Sequence, residues 1–498
     1  MGQLSRIHLD PEPYLIQRYN QRYKNGFNGQ FMSVPGKKTI ITAKQDVKIL
    51  IDELEFNMMQ TCGCFQLPSV EICWELVRSF FAEMMPLLPV VYEDKFMEDY
   101  KDLTNPPSIL LLQTVLYGGA FTYRPGISGN LLTKQEAMET AQIIGKRARL
   151  LLELGFEQYN PIPIMQTLLV FMSTVNGYIE KSVTDHLRQA VACSRFYGMH
   201  LDQSDNHDLS EYEKYMYRLL WMVLQIKGQF RALAAESQLF FSSKDRTIKV
   251  LTKEELYTVK PMVQDFLVWA FEICSVAEEI DGHRVQIAAL VESGQSYLHV
   301  FEKSEFMLRD YYSRLPSHLK YLASDPESQT VWSASLHAGY CTLVLVINTH
   351  KSSRAIQYSR RLTDMPSHFT SWQMTFDASW SFYQLMEAER KRCGYTYFAV
   401  YSLFGTFGSA INMTYHLRNV DPVVRDRAKE ALEGFLRLLR AVEKLVPTAI
   451  MLQDTITKVQ ENENYYLNML TDTLEMEEQD KDIWDKLNQF VPDAQWQP

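Results

Sequence analysis

From about residue 65 onward, apolar positions recur at helical spacing, one amphipathic run after another. In 139–155, Ile143, Ile144, Ala148, Leu151 and Leu152 share one stripe. Lys146, Arg149 and Glu153 lie outside it, and Gly155 follows as a stop. Thr133 with Glu136, Ser210 with Glu213, and Thr252 with Glu255 have the spacing of a capping box, in which hydroxyl and carboxylate satisfy the unpaired N–H groups of a helix start. Near the C-terminus, Asp421 is placed to cap a helix whose first turn holds Pro422. Val424, Ala428, Leu432, Phe435, Leu439 and Val442 form its apolar face, and Pro447 ends it. The stretch SILLLQTVLYGGAF at 108–121 has no polar face. It is short, interrupted by Gln113 and loosened by Gly118 and Gly119, which predicts a buried helix rather than a membrane span. Sustained period-two alternation is nearly absent, and only 36–51 is ambiguous between strand and helix. There is no βαβ rhythm and no repeat of fixed period. The pattern predicts an all-α chain of many helices of unequal length.

Composition adds limits. The 498 residues are 46% hydrophobic, enough for a large core, and 22% charged, as expected of a folded rather than a disordered chain. The net charge of −10 makes general binding to phosphate backbones unfavourable, so contact with nucleic acid would need a local basic segment or a partner. Seven scattered cysteines suit reduced thiols rather than a disulfide framework. Cys62 and Cys64 form C-G-C, one residue short of common metal spacing, and predict a turn with two bystander thiols. The first residues turn polar after two positions, which predicts no secretory leader.

The ends differ from the middle. Residues 1–44 carry seven Lys and Arg against two acids, with several Pro and Gly, and predict a mildly basic, loosely ordered arm, either a solvated tail or a binding arm. Residues 472–485 hold seven acids against Lys481, with Leu474, Met476, Ile483 and Trp484 interspersed. That composition fits an amphipathic activation segment or a frayed last helix. The predicted divisions are an arm at 1–60, a helical domain at 65–470 and an acidic tail at 471–498.

Catalytic signatures are missing. GISGN at 126–130 lacks nucleophile-elbow spacing, and GTFGSA at 405–410 does not complete a dinucleotide loop. HExxH, GxxxxGK[ST] and histidine pairs at i,i+4 are absent. The expectation is no enzyme, no cofactor, and no catalytic, cofactor-binding or metal residue. The abundance of Met, Phe and Tyr predicts core, or an adaptable apolar cavity.

The stretch QAVACSRFYGMHLD at 189–202 invites a thiol–imidazole or metal reading through Cys193, His200 and Asp202. Leu187, Ala190, Val191 and Ser194 instead mark a helix that Gly198 ends, so Cys193 and His200 lie on opposite sides of the break. His200 is then expected against the C-terminus of that helix.

The same stretch resembles the A-x-x-x-A-x-x-L-G-L-H-x-D signature of the fungal-specific transcription factor domain, through Ala192, Gly198, Met199, His200 and Asp202. FFAEMMPLLPVVYEDKF at 80–96, PIPIMQTLLVFMS at 161–173 and YRLLWMVLQIKGQF at 217–230 resemble its other segments, in the family's order. The likeness is to regulators of the cutinase-factor kind, best over 65–260. Lys227 and Gly228 replace the family's Asp-Arg, and the six-cysteine zinc cluster found upstream of this domain is not in the chain. The resemblance implies a large multi-helix regulatory domain and a nuclear regulator of polymerase II genes, of a metabolic or secondary-metabolite cluster. It would act with other transcription regulators or coactivators and touch DNA indirectly or weakly, with a small-molecule effector as a further partner class and no membrane. An upstream exon carrying the cluster is one alternative. A helical small-molecule binder or enzyme on a borrowed fold is another.

Overall fold

The computed structural model describes residues 33–34, 37–41, 48–51, 53–102, 106–156, 160–174, 183–234, 246–293, 295–322, 329–359, 370–393, 395–417, 419, 421–443 and 448–461. Most of the basic arm and the whole acidic tail at 471–498 lie outside the described residues. Among those described, fifteen α-helices carry the fold, as the 3.6-residue periodicity predicts. Within the strand-ambiguous stretch, β2 (Lys37–Ile41) pairs antiparallel with β3 (Lys48–Ile51), and β1 (Ser33–Val34) pairs with β2.

The chain divides into two compact units, residues 1–225 with 244–265, and residues 226–243 with 266–498. The first holds α1 (Glu53–Thr61), α2 (Val70–Ser79), α3 (Glu93–Lys101), α4 (Ile109–Thr122), α5 (Lys134–Glu153), α6 (Pro161–Ser173) and α7 (Val183–Phe196). The boundaries fall inside α8 (Glu211–Ala234) and α9 (Pro261–Glu292).

In the first unit α4 is the axis. Ser108 caps it by accepting from the Leu111 N–H, and every residue of the helix except Leu111 is buried. It packs on α2, α5 and α6. The sequence suggests that Gly118 and Gly119 loosen this helix. The structure shows the opposite use. A Cβ on Gly119 would stand 1.9 Å from the Leu76 carbonyl oxygen, and one on Gly118 would stand 2.7 Å from the Phe80 ring. Gly119 lets backbone approach backbone, which only a missing side chain permits, and Gly118 leaves room for the Phe80 and Met84 side chains. At this crossing α2 passes into a π-turn, Phe80–Met84, whose Phe80, Phe81 and Met84 are buried. Gln113, the apparent interruption, lies inside: its Nε2 donates to the Cys64 and Gln66 carbonyls at 2.9 and 3.0 Å. Thr114 meets Thr167 of α6 at 2.8 Å.

The predicted boundaries of α5 hold. Thr133 and Glu136 form the capping box, and Gly155 ends the helix at φ 65°. Its buried stripe is Ala137, Ala141, Ile144, Ala148 and Leu151, with Ile143 and Leu152 only half-buried at its margin. The C-G-C stretch is a turn at Gly63, φ 71°. Cys64 is fully buried, and burial, then the neighbouring Cys62, pushes its thiol up to about 12.

In the second unit α10 (Leu298–Arg314) packs on α11 (Val331–Ser359). α11, α12 (Thr370–Cys393) and α13 (Tyr395–His416) pack in succession, followed by α14 (Pro422–Val442) and α15 (Thr448–Glu461). Asp421 caps α14 by accepting from the Val423 N–H, and Ala428, Leu432, Phe435 and Leu439 are buried as predicted. Pro447 lies outside the described residues. One window, Val331–Asn348, is long and apolar enough to cross a membrane, and 61% of it is buried inside the fold.

Because the Gly119 contact is backbone on one side, no rotamer change can relieve it. Gly119→Ala is expected to lower the unfolding free energy by about 3 kcal/mol. Gly282→Ala, in α9 with open space around the added methyl, is expected to raise it by about 1 kcal/mol. Chemical denaturation of the two variants checks both signs.

Candidate functional site

The four stretches singled out in the sequence form two latches in the first unit. Gln166, buried on α6, donates its Nε2 to the Val90 carbonyl at 2.7 Å. This ties the PIPIMQTLLVFMS helix to the PLLPVV turn behind the π-turn.

The second latch answers the question of Cys193, His200 and Asp202. α7 ends as predicted, with Gly198 at φ 67°. The Met199 N–H donates to the Ser194 carbonyl, and Gln203 Nε2 donates to the Gly198 carbonyl. Met199 is fully buried below the turn. Backbone and Gln203 thus satisfy this helix end, and the contacts of His200 run elsewhere. Its carbonyl accepts from the N–H groups of Thr247 and Ile248, both at 3.1 Å, and its ring packs on Trp221 of α8 with centroids 5.8 Å apart. The Asp202 N–H donates to Thr247 Oγ1 at 2.9 Å, while the Asp202 carboxylate turns back to Ser204. Cys193 stays on α7, and burial pushes its thiol up to about 12. Thiol and imidazole are not brought together.

Arg218, one turn before Trp221, completes the latch. Its guanidinium grips the Glu255 carboxylate with two bonds, 2.7 and 2.9 Å. Its Nε donates to the Lys249 carbonyl at 3.0 Å, and Nη2 also reaches the Val250 carbonyl at 3.3 Å. A planar fork satisfying a carboxylate and two carbonyls at once is work that lysine cannot do. The Arg218 fork, followed by the Thr252 N–H, lowers the Glu255 carboxyl to about 2. The Thr252–Glu255 pattern therefore departs from expectation. The Thr252 N–H donates to Glu255, yet the stretch is a turn rather than a helix start, and the next helix begins at Pro261. By contrast, the Ser210–Glu213 box opens α8 as predicted. Segment 246–255 is thus held by the signature turn on one side and by Arg218 on the other. Its anchor Thr247 carried no sequence signal.

A second polar knot lies in the other unit. His337 Nε2 meets Ser381 Oγ at 2.7 Å and Cys341 Sγ at 3.5 Å, and its ring stacks on Tyr321 at 5.0 Å. Burial lowers its imidazole to about 4, so it is neutral at physiological pH. A serine–imidazole contact of this length resembles a nucleophile with its base. Here His337 Nδ1 has no partner to orient it, and Ser381 lies within α12, where the helix ladder engages the backbone N–H groups an oxyanion would need. Among the described residues no group of three or more His, Cys, Asp or Glu could hold a metal ion. Arg390 and Arg392 of the basic RKR stretch pair with Glu387 and Glu389 of their own helix.

Gln166, His200 and Arg218 all lie within a range that matches a family model. Residues 77–226 match the family model described as Fungal specific transcription factor domain. The chain is 23% identical over 408 residues to cutinase transcription factor 1 alpha of Fusarium vanettenii, covering 79% of this chain and 44% of that protein. It is 26% identical over 298 residues to the acetamidase regulatory protein of Aspergillus fumigatus, covering 59% and 36%. It is 26% identical over 198 residues to transcription factor cpaR of Aspergillus oryzae, covering 39% and 33%. The chain thus spans less than half the length of these curated relatives. No solved structure matches it.

Arg218→Lys keeps the charge but loses the fork, and is expected to cost about 2 kcal/mol; hydrogen exchange at the Thr247 and Ile248 amides should speed up with it. Glu255 titrates lower in the folded chain than unfolded, so its contribution is present above about pH 4.5 and is lost as pH falls toward about 2. In Glu255→Gln the fall in stability across that acid window should be shallower than in the parent chain, measured by denaturation at successive pH values.

Proposed function

We propose that this protein regulates transcription of polymerase II genes in the nucleus, through its helical domain and together with a DNA-binding partner. The observation that carries the reading is the coincidence of the family match at 77–226 with the two latches, whose anchors are the motif residues Gln166, His200 and Arg218. The proteins of similar sequence are named as a transcription factor for cutinase, a regulator of acetamidase and the transcription factor cpaR. Their names support control of metabolic or secondary-metabolite genes as the class of target. The role is that of a regulator rather than an enzyme.

The partners in this reading are other transcription regulators or coactivators, with DNA contacted indirectly or weakly, because the net charge of −10 repels a phosphate backbone. A basic arm over 1–60, a regulatory region over 65–470 and an acidic tail over 471–498 are the corresponding working divisions. The latches hold the motif segments of the first unit in place, as protein contacts require.

Fused as the full chain to a heterologous DNA-binding domain in a filamentous fungus, the protein is expected to change expression of a reporter at least severalfold. A reporter that does not respond in either direction, with the fusion present in the nucleus, would overturn the reading.

A further inference from the structure

Among the described residues, Arg147 of α5 is a buried cation that no carboxylate pairs. It is 8% exposed. Its Nη1 donates to the Gln66 carbonyl and its Nη2 to Gln66 Oε1, both at 3.3 Å, while its Nε is buried without a hydrogen-bond partner. Those neutral acceptors satisfy N–H groups but do not balance the charge, and a buried charge is ordinarily held against an opposite one. Burial works against the charge on this guanidinium, and the two groups that favour it are the sulfurs of Cys64 and Cys62 when ionised.

The turn at the end of α1 sets the guanidinium against the residue between these two cysteines. Gly63, at φ 71°, reverses the chain: its N–H donates to the Gln60 carbonyl at 3.0 Å, and the Cys64 N–H donates to the Met59 carbonyl at 2.9 Å. A Cβ on Gly63 would stand 2.8 Å from Arg147 Nη2, so the missing side chain is what lets the guanidinium lie on the turn. Cys62 is exposed and Cys64 is fully buried. Residues two apart in a chain have Cα atoms at most about 7 Å apart, and a turn brings them closer, into the range of about 4.4–6.8 Å that a disulfide spans. The Cys64 and Gln66 carbonyls accept from Gln113 of α4, so a change at residue 64 reaches the buried axis of the first unit.

We propose that Cys62 and Cys64 form a redox-sensitive pair, with Cys62 as the attacking thiol, Cys64 as the resolving thiol and Arg147 as the counter-charge to the negative charge that develops on sulfur. The oxidant is a hydroperoxide. The Cys62 sulfur takes its terminal hydroxyl, the O–O bond breaks, and the thiol proton goes to the departing oxygen, which leaves as water or an alcohol. Cys62 is then a sulfenic acid. The turn opens at Gly63, the Cys64 sulfur attacks, the S–S bond forms, and the sulfenic hydroxyl leaves as water with the Cys64 proton. The pair loses two electrons and the peroxide gains them. The inference is independent of the transcriptional reading, because it rests on the turn and the buried guanidinium alone.

The test treats the fully reduced full chain with hydrogen peroxide at neutral pH and maps the peptide holding residues 62–64 by mass spectrometry. Loss of two hydrogens from that peptide is expected, reversed by a thiol reductant. In Cys64→Ser the reaction is expected to stop at a Cys62 sulfenic acid that dimedone traps. Arg147→Gln removes the charge and is expected to slow oxidation of Cys62 about threefold or more, whereas Arg147→Lys is expected to preserve the rate. Because changing Arg147 can also loosen the fold, the rate at Cys62 is compared in the parent chain folded and unfolded in urea, and the folded chain is expected to react faster. A peptide that keeps its mass, or that gains oxygen without losing two hydrogens, would overturn the proposal. Equal rates at Cys62 in the folded and unfolded parent, or in the parent and Arg147→Gln, would overturn it as well.

Discussion

The first unit depends on one close approach, that of the Gly119 backbone to the Leu76 carbonyl where α4 crosses α2. An apolar helix buried on nearly every side can be stable only if its neighbours close around it without voids. Gly119 brings α2 to backbone distance, and Phe80 and Met84 of the π-turn fill the space above Gly118. On the other flanks, Gly145 of α5 makes room for the Tyr117 ring, and Thr167 of α6 meets Thr114. A polar stitch inside such a helix is tolerable because each donor finds an acceptor. Gln113 gives both amide hydrogens to the carbonyls of the Cys64–Gln66 turn.

The latches extend this rigidity to segments without regular structure. Chain that runs over a surface must still satisfy its N–H and C=O groups. Residues 246–255 do so by borrowing partners: the His200 carbonyl for two amides, and Arg218 for two carbonyls and the Glu255 carboxylate. The resemblance motifs are therefore structural devices. Gln166, Gly198, Met199, His200 and Arg218 are residues that hold turns against helices.

A domain built this way suits a protein whose work is contact. Burial raises the Cys193 thiol in the first unit, and in the second it lowers His337 and His416 and raises the Cys341 thiol, so these four groups carry no charge at physiological pH. What the chain offers to solvent includes exposed aromatic rings at Phe196 and Tyr257.

Much of this was legible in the residues alone. Helical periodicity fixed the class, because the 3.6-residue repeat is a local property of any amphipathic helix. The caps at Thr133, Ser210 and Asp421 and the stops at Gly155 and Gly198 were readable for the same reason, each being satisfied within a few residues. The role of Gly118 and Gly119 was not, since a missing Cβ means slack in an isolated helix and close packing only when a neighbour arrives. Thr252 and Glu255 carried a helix-start spacing, yet the Arg218 fork, thirty-seven residues away, turned the carboxylate to a different task. The contacts of His200, the amides of 247 and 248 and the Trp221 ring, are separated from it in sequence. Local hydrogen bonding and periodicity are written in neighbouring residues, whereas the partner of a long-range contact is chosen only when the chain has folded, and there the tertiary structure decided.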